Sequence, residues 1–290
     1  IKKELLEIKD KFGDERRSPI KESSEAKIFS EEETLVTEPI TVILSKAGWI
    51  RSAKGHEIDP ASLSYRGEDK LQDSCRGKSN QLAVFLDSNG KAYSLTSHSL
   101  PSARGMGDPI SGRVTADSGV KFISSLIGND DDKYLIINTA GYGYISEFKN
   151  MVSNKKSGRA FMKLPNQAEL LRAIKLRDDH IYIAAVSSIG RLLIFKIDEL
   201  PILPKGKGNK IINIPTAKFL AKEEFMAHAQ LISLTGSLRI ESGKRFLTLK
   251  LKDLENYISS RAKRGNMLPQ GYRKVDRIIE EVENISTNED

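Results

Sequence analysis

Basic side chains that stand beside glycines are the residues of this sequence whose types and spacing could do chemistry. Five connectors share this composition, at positions 76–79, 102–107, 155–159, 205–210 and 261–265. Lysine and arginine supply contacts to phosphate oxygens, and glycine lets backbone N–H groups approach the same oxygens. Because five such loops recur in one chain, the pattern predicts phosphate binding along an extended surface.

The candidate phosphate contacts lie in these connectors or just after a hairpin turn. They are Arg51, Lys54, Arg76, Lys78, Arg104, Arg159, Lys205, Lys207, Lys210, Lys263 and Arg264.

Residues that could hold a metal ion or act as a nucleophile show no comparable pattern. The four histidines are never four residues apart, and the acidic run at 130–132 has no glycine or glutamate at the spacing of a calcium loop. The single cysteine, Cys75, excludes a disulfide framework and a multi-thiolate zinc site, and it fits a reducing cytoplasm. We therefore expect no catalytic residue and no metal site in this chain.

The charge of the chain is unevenly distributed. The 290 residues carry 46 basic and 39 acidic side chains, a formal net charge of +7. Residues 1–39 and 273–290 are each net acidic, so residues 40–272 hold 35 basic and 22 acidic side chains. A basic body between acidic ends predicts a polyanionic partner.

A repeated hairpin predicts the elements that position the basic connectors. An apolar run ends at a small polar residue, a glycine follows three positions later, and a second apolar run leaves the turn. The turn glycines are spaced by 42, 51, 49 and 53 residues, and in the fifth copy Ile240 stands where the others have Ser, Asp or Asn. These glycines are Gly48, Gly90, Gly141, Gly190 and Gly243.

This period is typical of the four-stranded blades of a propeller, which bury one another's faces. The periodicity alone fits a large irregular β-sandwich equally well. In a propeller-like ring, the repeat would place the basic connectors around one rim.

The ends of the chain differ from this body. Residues 1–12 have apolar side chains near helical spacing, and Gly13 follows as a helix stop. The polar stretch after it reads as a linker, with a candidate helix cap at 30–33. The chain begins without methionine or an apolar leader, so we expect a piece of a longer protein. Apolar runs reach only five or six residues, too short for a membrane span.

Several segments together resemble the C-terminal domain of the ParC subunit of bacterial topoisomerase IV, a relative of gyrase A. They are Arg-Ser-Ala-Lys-Gly-His-Glu-Ile-Asp at 51–59, Pro-Ser-Ala-Arg-Gly at 101–105, Ala-Gly-Tyr-Gly at 140–143, and Lys-Gly-Lys-Gly-Asn-Lys-Ile-Ile-Asn-Ile-Pro at 205–215. Residues 5–18, with Phe-Gly-Asp-Glu-Arg-Arg-Ser at 12–18, are similar to the segment that leaves the family's coiled-coil arm. The resemblance extends over essentially the whole chain.

The resemblance implies an all-β fold, a five-bladed β-pinwheel with strands exchanged between neighbouring four-stranded blades, preceded by a short helix. It implies four segments: the end of a helical arm at 1–17, an acidic linker at 18–39, the pinwheel at 40–282 and an acidic tail at 283–290. For residues 272–282 the family implies a closing strand, whereas the spacing of Val275, Ile278, Ile279 and Val282 looks helical.

The resemblance also implies a non-catalytic domain that binds and bends the transported duplex DNA on its basic rim. The implied partners are duplex DNA, the catalytic N-terminal portion of the same subunit, and the ATPase subunit ParE in an A2B2 holoenzyme that uses ATP and Mg²⁺ in decatenation and chromosome segregation. The chain itself would hold no cofactor. The expected location is cytoplasmic and nucleoid-associated, with peripheral association at the inner membrane as an alternative.

The family's catalytic tyrosine lies upstream of this domain, so Tyr65, Tyr93, Tyr142 and Tyr144 are interpreted as packing residues. The chain has no intact copy of the gyrase DNA-wrapping box, and its nearest echoes are at 76–78 and 104–107. We therefore expect the first basic groups to contribute most to binding, namely Arg51 with Lys54, Arg76 with Lys78, and Arg104.

Two other classes of function compete with this interpretation. A propeller used as a protein-interaction module would expose aromatic residues in its loops, but the connectors are rich in Lys, Arg, Gly and Ser. A propeller enzyme would place histidines or carboxylates at equivalent positions of the repeat, and the histidines do not recur in this way.

Overall fold

The computed structural model describes residues 1–14 and 37–282, which belong to two compact units with a boundary at residues 35 and 36. The first unit contains helix α1 (Lys2–Phe12), as the apolar spacing predicts, and none of its side chains is buried. Most of the predicted linker, with its helix cap at 30–33, and the predicted tail at 283–290 lie outside the described residues.

The second unit consists of five small antiparallel sheets, each built on one of the predicted hairpins. Sheet 1 contains β1 (Pro39–Ser45), β2 (Trp49–Lys54), β3 (Leu71–Lys78) and β6 (Asp108–Pro109), in the order β3-β1-β2-β6. Sheet 2 contains β4 (Leu82–Asp87), β5 (Lys91–Thr96), β7 (Phe122–Ile127) and β10 (Arg159–Ala160), in the order β10-β5-β4-β7. Sheet 3 contains β8 (Lys133–Ile137), β9 (Tyr142–Glu147), β11 (Ile174–Lys175) and β14 (Asn209–Lys210), in the order β11-β8-β9-β14.

Sheet 4 contains β12 (His180–Ser187), β13 (Arg191–Lys196), β15 (Met226–Ser233) and β18 (Asn266–Met267), in the order β15-β12-β13-β18. Sheet 5 contains β16 (Gly236–Ser242), β17 (Arg245–Leu249) and β19 (Arg277–Val282), in the order β17-β16-β19. The fifth sheet therefore has three strands where the repeat predicts four. The remaining helices are α2 (Thr216–Leu220), α3 (Leu251–Leu254) and six 3₁₀ turns at Pro60–Ser62, Ser97–Ser99, Ile110–Gly112, Phe148–Asn150, Ile197–Glu199 and Glu255–Tyr257.

Strands are exchanged between neighbouring sheets. After the hairpin of sheet 2, the chain returns to add β6 to sheet 1, and β10, β14 and β18 return in the same way to sheets 2, 3 and 4. This connectivity and the five-sheet ring confirm the predicted pinwheel. Residues 277–282 form a strand, so the helical spacing near the end of the chain was misleading.

The core of the ring consists of four hydrophobic clusters, each shared by two neighbouring sheets. Because successive side chains of a strand point to opposite faces, Phe85 packs toward sheet 1 while Val84 and Leu86 pack toward sheet 3. The next clusters join sheets 3 and 4 and sheets 4 and 5 in the same way. Among residues 37–282, no such cluster joins sheet 5 to sheet 1.

The first four hairpin turns share one hydrogen-bonding arrangement. The side chains of Ser45, Asp87, Asn138 and Ser187 each accept a hydrogen bond from the backbone N–H four residues later. The turn glycines have φ between 80° and 82°. A Cβ atom at Gly141 would come within 2.7 Å of the Ile212 carbonyl oxygen, so only glycine fits there.

The fifth turn is built differently. Ser242 pairs with Arg245, which leaves a two-residue turn at Gly243 and Lys244. Ile240 is buried within β16, so it cannot replace the polar turn residue of the other hairpins. Instead, the Asp276 carboxylate accepts a hydrogen bond of 2.6 Å from the Gly243 N–H.

Each sheet has an inner and an outer edge. Residues of β3, β7, β11, β15 and β19, or next to them, line one cavity of about 640 Å³ on the ring axis. The opposite edges, formed by β6, β10, β14, β18 and β17, are therefore the outer edges of the ring. No helix in the described part of the chain is long and apolar enough to cross a membrane.

Candidate nucleic-acid interface

A glycine with positive φ precedes the outer strand in each of the first four sheets. Gly107, Gly158, Gly208 and Gly265 have φ of 85°, 72°, 75° and 73°. A Cβ atom at Gly208 would come within 2.3 Å of the Gly143 carbonyl oxygen, because the loop lies directly on the hairpin of its sheet. The four loops before these glycines occupy equivalent places on the ring, and we call them outer loops 1 to 4, at 102–107, 155–158, 205–208 and 261–265.

Exposed basic side chains lie in or directly beside each of the four outer loops. Several of them have no acidic partner among the residues that the structure describes: Arg104, Lys155, Lys156, Arg159, Lys205, Lys207 and Lys263. Three of these cations belong to sheet 2 and two to sheet 3. From the 155–159 connector, the sequence pattern led only to Arg159 as a candidate, so Lys155 and Lys156 were missed.

Backbone hydrogen bonds join successive outer loops into one belt. The Thr115 N–H, beyond β6, donates to the Lys156 carbonyl of outer loop 2. Gly206 of outer loop 3 accepts from the Lys163 N–H, beyond β10. Ala262 of outer loop 4 donates to Ile211, directly after β14. The belt therefore fixes the outer loops relative to one another from sheet 1 to sheet 4.

Lys54 and Arg104, two of the predicted phosphate contacts, come together on sheet 1. Both line an open cavity of about 540 Å³ with Ser102, at the outer loop of that sheet. The Lys54 ammonium also lies 2.9 Å from the Glu38 carboxylate, at an exposed position where solvent weakens the ion pair.

Arg51 does not lie on the interface, which corrects its predicted role. Its side chain is only 4% exposed. The guanidinium donates to the carbonyl oxygens of Gly105 at 2.9 Å and Ser64 at 2.8 Å, and it stacks over the ring of Tyr65. Since these contacts use the arginine inside the fold, its role is to hold outer loop 1 in place.

Arg264 is also engaged within the fold. Its guanidinium donates to the Asn213 carbonyl and lies 2.8 Å from the Glu224 carboxylate, a side chain that is 1% exposed. Removing this arginine would leave a buried carboxylate without its counter-ion. The predicted phosphate contact at Arg264 would compete with these contacts inside the fold, and Lys263 is the exposed cation of that loop.

Arg76 and Lys78 lie in the wrong part of the ring for the predicted rim. Both belong to β3, the inner edge strand of sheet 1, and not to a connector. Arg76 lines a second cavity near the axis together with Arg172 and Lys175. The echo of the gyrase box at 76–78 therefore marks a strand and gives no outer loop.

Sheet 3 brings two predicted lysines together on an aromatic ring. The Lys207 ammonium lies 4.0 Å and the Lys210 ammonium 5.7 Å from the centre of the Tyr142 ring. Lys210 also donates a hydrogen bond to the Asn213 side chain at 3.2 Å. Tyr142 is thus more than the packing residue that the sequence predicts.

Residues with nucleophilic or acid–base chemistry lie in inert surroundings. Burial raises the pKa of Tyr93 and of Tyr144, both of which are fully buried, and the Tyr144 hydroxyl donates to the Phe161 carbonyl. Burial likewise raises the pKa of the Cys75 thiol. No group of three or more His, Cys, Asp or Glu side chains within 1–14 and 37–282 could hold a metal ion. What the outer edge can do chemically is bind anions.

Comparison with known proteins was made by sequence and by structure. The chain is 44% identical over 283 residues to the A subunit of DNA topoisomerase 4 from Pseudomonas aeruginosa, covering 97% of this chain and 38% of that protein. It is 39% identical over 278 residues to the same protein from Escherichia coli, covering 96% of this chain and 37% of that protein. The chain spans less than two-fifths of the length of these relatives. No family model matches it.

Comparison of structures points to the same family. The fold matches the E. coli ParC C-terminal domain with a TM-score of 0.75 and 38% identity, over 84% of this chain and 99% of that one. It also matches the C-terminal domain of DNA gyrase A with a TM-score of 0.62 at 15% identity, which concerns the fold alone. The chain belongs to the family of the ParC C-terminal domain of topoisomerase IV, as the sequence segments predicted.

Proposed function

We propose that this chain binds duplex DNA along the outer edges of sheets 1 to 4. The observation that carries the proposal is the outer loop with its positive-φ glycine and exposed cations, which recurs at equivalent places in four consecutive sheets. Lysine and arginine side chains at this edge would contact phosphates, and these contacts carry no sequence information. No recognition helix is needed, and duplexes of different sequence should bind alike.

A duplex that follows the four outer loops must bend around the ring. Bending a site of 20–30 base pairs costs on the order of 1–6 kcal/mol. The exposed cations are distributed along the whole path, with most of them on sheets 2 and 3 in its middle. Contacts there would offset the bending cost, so sheets 2 and 3 would contribute more than the first basic groups.

The family membership supports a place for this chain in a larger enzyme. As part of a type IIA topoisomerase, it would engage the transported duplex, while strand cleavage takes place in the catalytic portion of the same polypeptide. The ATPase subunit ParE would be the second protein partner, and ATP and Mg²⁺ would act there and at the cleavage site. DNA as the partner also supports the predicted location, with the nucleoid in the cytoplasm.

Binding of this chain to a duplex of about 30 base pairs, measured over a salt series, tests the proposal. If the outer loops neutralise about five phosphates, log affinity should fall with log salt at a slope of about −4 to −5. A slope near zero, or a strong preference for one sequence, would contradict it.

A plasmid assay tests the non-catalytic role. The purified chain should neither cleave nor relax supercoiled plasmid with ATP and Mg²⁺, because its described tyrosines are packed in the fold or hold lysines. Relaxation that a tyrosine-to-phenylalanine substitution abolishes would place the chemistry in this chain and contradict the proposal.

A further inference from the structure

One position of the repeat has a property that its sequence does not show. The residues directly after the first four turn glycines are Trp49, Lys91, Tyr142 and Arg191. Each backbone N–H is fixed by the polar turn residue four positions earlier. Each residue also lies directly opposite the outer strand in the sheet register. The four side chains therefore occupy equivalent, half-buried places beside the four outer loops.

From sheet to sheet, this position holds alternately an aromatic residue with a basic side chain over its ring and a basic residue. Lys91 in sheet 2 and Arg191 in sheet 4 are themselves basic. In sheet 1, the Arg66 guanidinium lies 5.0 Å from the centre of the Trp49 ring. In sheet 3, Lys207 and Lys210 lie over the Tyr142 ring.

We propose that Tyr142 and Trp49 are positioning residues of the interface, whose rings hold Lys207, Lys210 and Arg66 toward the DNA phosphates. The inference deepens the proposed function and rests on it. A lysine on the surface loses side-chain entropy when it is fixed against a phosphate, and a ring that already restrains it reduces this loss. The attraction of an ammonium group to a ring face supplies the restraint without neutralising the charge.

In sheet 3, the Tyr142 ring restrains the side chains of Lys207 and Lys210, whereas other contacts hold the loop backbone. The backbone of outer loop 3 is held by its bonds to Phe161 and Lys163, so the loop does not depend on Tyr142 for its course. Neither lysine has a carboxylate partner among the described residues. The Tyr142 hydroxyl is not needed for either cation–ring contact, which predicts that phenylalanine can replace tyrosine.

The test is duplex affinity of this chain with Tyr142→Phe and Tyr142→Leu, and with each change combined with Lys207→Gln. Leucine should weaken binding about threefold to tenfold, since each exposed cation–ring contact contributes about two- to fivefold. Phenylalanine should bind like the wild type. In the Lys207→Gln background, the effect of leucine should shrink, because one of the two restrained cations is then absent.

Two matched variants control for packing and for charge. Tyr182→Leu removes another half-buried tyrosine, and Lys133→Gln removes an exposed lysine at the far end of β8. Both should leave affinity within about twofold. Equal affinity of Tyr142→Leu and wild type, or an equal loss in both lysine backgrounds, would overturn the inference while DNA binding itself stands. Absence of binding by the wild type would instead overturn the proposed function.

Discussion

Sheets 1 to 4 and sheet 5 are each built on a hairpin with a glycine in its turn, yet their outer edges differ. Each of the first four carries a two-residue outer strand, a positive-φ glycine before it and an outer loop that is bonded to a neighbouring sheet's segment. Sheet 5 ends at β17, where Phe246 is 56% exposed and stacks against Arg239. The hairpins therefore build the ring, whereas the returning strands build the outer edges that we propose as the interface.

The difference follows from chain connectivity. An outer strand is supplied by the segment that follows the next hairpin, and the chain forms no sixth hairpin in its described part. After β18 has completed sheet 4, the chain passes directly to β19 on the inner edge. Sheet 5 is therefore left without a glycine loop at its outer edge.

The largest expected difference between sheets 1 to 4 and sheet 5 is in DNA affinity after basic side chains are removed from their outer edges. A quadruple variant of sheets 2 and 3 carries glutamine at Lys155, Arg159, Lys205 and Lys207. It should bind duplex DNA at least about 100-fold more weakly at moderate salt, because each lost phosphate contact no longer releases a counterion.

The matched control carries glutamine at four exposed cations in and around the outer part of sheet 5, namely Lys244, Arg245, Lys250 and Lys252. Both variants lose four charges, so long-range attraction falls equally. The control should bind within about fivefold of the wild type. Equal losses in titrations of both variants would show that net charge, and not the outer loops, determines binding.

Glycine substitutions should show the same difference in stability. Gly208→Ala should destabilise the fold by about 3 kcal/mol, because its Cβ atom would strike the Gly143 carbonyl at a left-handed φ. Gly243→Ala meets nothing within 4 Å, and only its φ of 60° is strained, so about 1 kcal/mol is expected. Urea denaturation measures both. Similar losses would mean that the outer loop is free to move away from its hairpin.

Arg51 and Lys54 offer a contrast within one strand. Arg51→Ala should cost about 2 kcal/mol of folding free energy, because the Gly105 and Ser64 carbonyls lose a charged donor and the buried arginine leaves a gap. Lys54→Ala should leave stability unchanged and weaken DNA binding about twofold to fivefold. Thermal melts and binding titrations on both variants check this assignment. If Arg51→Ala lost DNA affinity without losing stability, Arg51 would be a DNA contact and this assignment would be wrong.

The smallest expected effect is a loss of folding stability at acidic pH, which arises from the junction of sheets 4 and 5. The Glu280 carboxylate accepts from the Ser233 N–H at 2.6 Å and lies 2.7 Å from Arg177. Burial opposes ionisation, but these contacts outweigh it and hold the pKa of Glu280 below its usual value. Burial also lowers the pKa of the neighbouring His180.

Both shifts have the same sign for stability. A lowered pKa means that the unfolded chain binds more protons, so the stabilisation is complete above the unfolded pKa and is lost as pH falls. The loss should begin near pH 6.5 with His180 and continue below about 4.3 with Glu280. Glu280→Gln should remove the lower part of this dependence in urea titrations that run from pH 7 to about pH 3. An unchanged profile would mean that this carboxylate does not stabilise the junction.

The strand repeat could be predicted from the sequence because its turn chemistry is local. A polar residue and a glycine three positions apart are sufficient for a hairpin, so the first four turns were recognisable. The two-residue turn at Gly243 follows another geometry, and its polar partner Asp276 is 33 residues away. The fifth hairpin is therefore present as predicted, but its turn does not have the polar residue three positions before the glycine.

The interface was predictable only in its composition. The sequence shows which loops are basic, but burial and pairing decide which cations are available. The guanidinium groups of Arg51 and Arg264 donate hydrogen bonds to carbonyls and a carboxylate that are distant in sequence. Arg76 lies at the inner edge because it belongs to β3, the edge strand of sheet 1 that lines the ring axis. Such long-range pairings have no signature within a short motif.

Site-specific crosslinking is the sharpest test of an interface on the outer edges of sheets 1 to 4. In a Cys75→Ala background, single cysteines at Arg104, Arg159, Lys207, Lys263 and Phe246 would carry the same photoreactive group, one for each sheet. We predict strong crosslinks to a bound 40-base-pair duplex from the first four positions (a length of about four turns, at roughly 10 base pairs each) and background yield from position 246. Crosslinking at position 246 as strong as at the other four would contradict an interface restricted to those four sheets.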